Sequence, residues 1–203
     1  MADLGFNGEK ALFNKKFNDE TTLWVSLQVL RDRQSFLGLF PRVGFINWKV
    51  ADFMQRYLAD ALINPPVNIP PTLSATLGYL MPKPHQVEWY FECTEASIRS
   101  AAADIIQSVR SYGMSFTTRF PDVRSLSAWA KNPEIEPAAM FYQPQLLRAV
   151  ILYLAGDWVQ AKEIVEAQLS KGIVAGEIND PNYAPIIRLG HLLGAPEQDI
   201  LSH

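Results

Sequence analysis

Residues 86–130, QVEWYFECTEASIRSAAADIIQSVRSYGMSFTTRFPDVRSLSAWA, decide how the rest of the chain is read. Val87, Trp89, Phe91 and Cys93 alternate with Gln86, Glu88, Tyr90 and Glu92, the period-two pattern of a strand with one buried face. Thr94 then offers a hydroxyl to cap a helix, and Glu95 puts a carboxylate in its first turn, where the unpaired N–H groups favour negative charge. Ile98, Ala102, Ile105, Val109 and Tyr112 recur at steps of four and three. That spacing predicts an amphipathic helix over 95–112, with Arg99, Asp104, Gln107 and Arg110 on its far side. Gly113 is expected to end it in a left-handed turn. Pro121-Asp122 restarts a short helix with Val123, Leu126 and Trp129 inward.

Working outward toward the N-terminus, strands dominate. ALFNKKF (11–17) and TTLWVSLQVLR (21–31) read as a hairpin, with Leu23, Val25, Leu27 and Val29 on one face and Trp24, Ser26 and Gln28 on the other. FPRVGFINWKV (40–50) is expected to be a third strand, with Val43 and Phe45 on one side and Ile46, Trp48 and Val50 on the other. A helix over 51–62 follows, striped by Phe53, Met54, Tyr57, Leu58 and Ala61. NPPVNIPP (64–71) is a stiff extended loop, because its prolines lack the donors that a helix or central strand needs. TLSATLGYLM (72–81) supplies a fourth strand, and the strand from 86 a fifth.

Toward the C-terminus the character turns helical. A loop around Pro133 and Pro137 leads to a helix from Pro144 with Leu147, Val150, Ile151 and Leu154 inward. Gly156-Asp157 ends that helix and caps the next, in which Trp158, Ala161, Val165 and Leu169 form the stripe until Gly172. Two helices joined by two residues must pack as an antiparallel hairpin. Asp180-Pro181 opens a last helix, with Tyr183, Ile186, Ile187 and Leu193 inward. The expected fold is α+β: a mainly antiparallel sheet of about five strands packed against helices, with a C-terminal helical hairpin. The expected organisation is a sheet domain over 1–131 and a helical extension over 132–203 docked on it, the two forming one structural unit.

The chain has 203 residues, 48% hydrophobic and 19% charged, which supports a sizeable core. A net charge of −3 argues against a protein that binds by neutralising phosphates, so no nucleic-acid partner is expected. No apolar run approaches the roughly 20 residues that cross a bilayer, and MADLGFNGEK lacks the pattern of a secretory signal. With a single cysteine, the composition suits a reducing compartment, and the expected setting is cytoplasmic.

The order of these features is similar to an uncharacterised bacterial domain family of unknown function. The likeness rests on Gly5-Phe6 with Phe13 and Phe17, on VSLQVL, on FPRVGFINWKV, and on ATLGYLMP followed by VEWYF. YGMSFTTRFPDVRSL and the closing LYLAGDWVQAKEIVEAQL complete it. The resemblance implies an α+β fold and carries no defined activity, hence no catalytic residues.

Candidate chemistry is sparse. Cys93 precedes a helix start, where a thiolate would be favoured, yet alternation with Val87, Trp89 and Phe91 directs it into the core as an inert thiol. His85, His191 and His203 have no metal-ligand neighbour at short spacing, so neither a metal nor another cofactor is expected. Glu88 and Glu92 stand about 13 Å apart by strand rise, wide for a glycosidase pair. No phosphate-loop glycine pattern occurs. One feature is less bland. Trp24, Trp48, Tyr90, Glu88 and Glu92 fall on strand faces opposite the apolar ones. Either helices cover them, or they form an aromatic surface with an acidic edge for a basic protein partner. The expected function is a protein-interaction or regulatory binder, including the immunity type. The rival from another class is an enzyme or small-ligand protein using a cleft beside the sheet.

Overall fold

Thr21–Arg33 and Phe36–Asn47, β3 and β4, form one long antiparallel ladder around which the sheet is assembled. The computed structural model describes residues 1–9, 11–33, 36–62, 69–84, 87–132 and 143–194, with Glu9 and residues 30–33 described by their backbone alone. Asn7–Glu9 (β1) and Leu12–Lys16 (β2) add to the outer edge of β3. Leu73–Thr76 (β5) and Trp89–Glu92 (β6) share the other edge of β4, at opposite ends of it. All these pairings are antiparallel. Seven α-helices are described: α1 Trp48–Phe53, α2 Glu95–Ser108, α3 Met114–Thr118, α4 Val123–Lys131, α5 Pro144–Leu154, α6 Trp158–Ala175 and α7 Ala184–Gly194. The fold is α+β, as the alternating and helical periodicities imply.

The described residues divide into two compact units, and the division is interleaved rather than sequential. The first gathers residues 1–47 and 71–121, the second residues 48–62, 69–70, 122–132 and 143–194. This differs from a boundary at 131. The helix after β4 and the helix from Val123 carry apolar stripes that group with α5, so they sort with the C-terminal helices despite their place in the chain.

In the first unit, Val43 and Phe45 share a sheet face with Leu23, Val25, Leu73 and Ala75. All six are buried. Phe45 meets Phe116 and Phe120, with ring centroids 6.4 and 5.5 Å apart. The helix from Glu95 does not stop at Gly113. A π-helical turn, Val109–Gly113, carries it straight into α3, and Gly113 has ordinary helical angles. A Cβ there would lie 3.0 Å from Val43 Cγ1, so the glycine serves a close approach of helix to sheet rather than a left-handed end. The N-terminal hairpin turn is pinned by Asn18, whose Oδ1 accepts from the N–H groups of Glu20 and Thr21 at 2.9 and 2.7 Å. Asn18 Nδ2 and Thr21 Oγ1 both donate to the Pro121 carbonyl, at 2.8 and 2.9 Å.

In the second unit, Leu146, Leu147, Ala149, Val150, Ile151 and Leu152 are all buried, so α5 is a central helix buried around most of its circumference. Gly156 (φ 84°) turns the chain, and Asp157 accepts from the N–H of Gln160 to open α6. Lys131 Nζ reaches Asp157 at 2.6 Å and, with hydrogen bonding to Gln160, holds that carboxyl below the ordinary aspartate range. Arg148 Nε donates to the Ala130 carbonyl at 2.7 Å, satisfying an open end of α4. Asp122 caps α4 reciprocally with Ser125. The short-loop α5–α6 hairpin is present. Most of NPPVNIPP, the loop around Pro133 and Pro137, His85, Gln86 and His203 lie outside the described residues.

Candidate functional site

The five residues marked by alternation have different fates. Trp24 stands on β3 in a cross-strand row with Asn14, Gly44 and Ser74, and it is only 7% exposed. It belongs to the interior, so its role as an exposed contact is corrected. Trp48 is not on a strand. β4 ends at Asn47, and Trp48 begins α1 in the second unit, 40% exposed. No strand register links it to Trp24. The strand expected over 40–50 ends three residues early, because the chain adopts helical angles from Trp48 onward.

Tyr90, Glu88 and Glu92 do remain together. Tyr90 on β6 is 53% exposed, and its hydroxyl donates to Glu88 Oε2. Across the ladder Tyr90 pairs with Gly38, and Glu92 with Phe36. Phe36, 43% exposed, therefore shares Tyr90's sheet face, and Glu92 is exposed beside it. Phe36 was missed in the sequence because β4 was expected to begin at residue 40. An earlier start puts Phe36, Gly38 and Phe40 on one face.

The position of this cluster explains its exposure. β2 pairs with β3 only as far as Ser26, and β5 with β4 only from Arg42 onward. Beyond those points the β3–β4 ladder continues with β6 alone at its side among the described residues, and a β-bulge between Arg31 and Arg33 twists its tip. Val29, on the opposite face, is also half exposed. The helix α2 joins this end through Trp89, whose Nε1 donates to Asp104 Oδ2 at 2.6 Å. Thr94 caps α2, accepting from the Ser97 N–H at 3.3 Å. Only Ile105, Ser108 and the following Val109 of that helix are buried, while Ile98 and Ala102 of the expected stripe are exposed. The distal end of the first unit thus exposes Phe36 and Tyr90 on one sheet face and Val29 on the other, with Ile98 exposed on α2.

Other candidates resolve into structure. Cys93 is exposed, not buried, because the strand ends at Glu92 and alternation no longer applies to it. Arg42 is half-buried, its Nη2 donating to Ser74 Oγ at 2.9 Å, and desolvation lowers its pKa. It ties β4 to β5 as a permanent cation. A surface groove of about 650 Å³ runs along α2, lined by Glu95, Ala96, Arg99, Ser100 and Ala103. Its two charges are paired with each other at 2.6 Å, so it lacks the convergent polar groups of a reaction centre. Among the described residues no three metal-ligating side chains converge, and no helix is long and apolar enough to cross a membrane.

No protein family, curated protein or solved structure matches this chain. The site therefore rests on its geometry alone.

Proposed function

We propose that this chain is a protein-interaction module of the regulatory or immunity kind, binding its partner at the distal end of the β3–β4 ladder. One observation carries the reading: Phe36 and Tyr90, both large and both about half exposed, stand together on one face of the sheet end. Large apolar side chains gathered at one place on a surface mark contact sites, and tyrosine is among the residues that dominate binding energy. Glu88 and Glu92 form the polar edge that such sites carry. A reducing, cytoplasmic setting suits the exposed thiol of Cys93. The rival, an enzyme or ligand-binding protein, would need a cleft with convergent polar groups, and the groove along α2 does not supply one.

The test compares capture from native lysate by the unaltered chain, by a Phe36→Ser, Tyr90→Ala double variant, and by an Ile173→Ser, Val174→Ser control exposed elsewhere. A stoichiometric partner lost only with the first double variant is the expected result. A partner retained by both variants would remove the distal end from consideration. Replacing one such aromatic should weaken binding by about 2 kcal/mol, the scale of an interface hot spot.

A further inference from the structure

We draw no further inference here: the strongest candidate, the distal end of the sheet at Val29, Phe36 and Tyr90, belongs to the site already described, and nothing in the structure shows what covers it.

Discussion

The two ends of the β3–β4 ladder obey the same alternation and meet opposite fates. At the near end, Thr21–Val25 and Val43–Asn47 have β2 on one side and β5 on the other, and Phe116 and Phe120 pack over Phe45. Even Trp24, on the face opposite Phe45, is buried there. At the far end the same two strands have only β6 beside them among the described residues, and Phe36, Tyr90 and Val29 stand half exposed. Period-two patterning says which residues share a face; it does not say whether anything lies on that face. Burial is decided by the elements that arrive from elsewhere in the chain.

The sharpest way to break this contrast is to truncate an aromatic at each end. Trp24→Ala should cost about 3–5 kcal/mol, the scale of a buried aromatic. A denaturant titration showing an unchanged midpoint would mean the near end is open after all. Gly44→Ala comes next. Its new Cβ would sit 2.4 Å from the Leu73 carbonyl oxygen and 2.8 Å from Ser74 Cβ, a clash with backbone that only a shift of β5 relieves. A loss of about 1–3 kcal/mol is expected by analogy with overpacking, and wild-type stability in a thermal melt would show that β5 does not pack so closely. Asn18→Ala removes the side-chain bonds that hold the near turn and tie it to Pro121, for about 1–2 kcal/mol. Hydrogen exchange at Thr21 should quicken in that variant, and unchanged exchange would contradict the anchoring role.

A control lies outside the ladder. Asp122→Ala should cost about 1 kcal/mol at neutral pH through loss of the α4 cap. The Ser125 N–H holds the Asp122 carboxyl below its ordinary pKa. The folded pKa is depressed, so the stabilisation is complete above the unfolded value of about 3.9 and fades as pH falls through the folded one. The difference between wild type and variant should therefore shrink on acidification, and a difference constant down to that range would exclude the carboxylate as its source. The smallest effect belongs to the far end. Phe36→Ala and Tyr90→Ala should each change stability by about 0.5 kcal/mol or less, as surface substitutions do. A large drop for either would show that the exposed face is closed in solution.

Much of the architecture was legible in the residues. The hairpin, the strand before the Thr94 cap, the Asp122 restart and the Gly156-Asp157 corner all follow from local chemistry that acts over a few residues. Other features were not legible, and for identifiable reasons. Gly113 looks like a helix stop because glycine permits one, yet its use is set by Val43, which lies seventy positions away in the chain. Trp48 fits the β4 alternation, and only the helical turn that follows removes it from the strand. Ile98 and Ala102 complete an apolar stripe in the sequence, yet that first half of the stripe is exposed. Of the candidate site, Tyr90, Glu88 and Glu92 came from local pattern, whereas Phe36 required the cross-strand register.

The interleaving of the two units bears on how the chain emerges during synthesis. Phe53, Met54 and Leu58, buried in the second unit, leave the ribosome early, while α5, α6 and α7 lie far downstream. At roughly 5–20 residues per second, the gap of about 90 residues between residue 62 and residue 154, by which point Tyr153, the ring against Phe53, has been made, lasts about 5–18 s. For that interval an apolar nascent segment has no native neighbours to cover it. The β3–β4 hairpin, built from adjacent strands, can close at once. The short α1 region is thus an apolar part of the nascent chain that must wait for partners made much later.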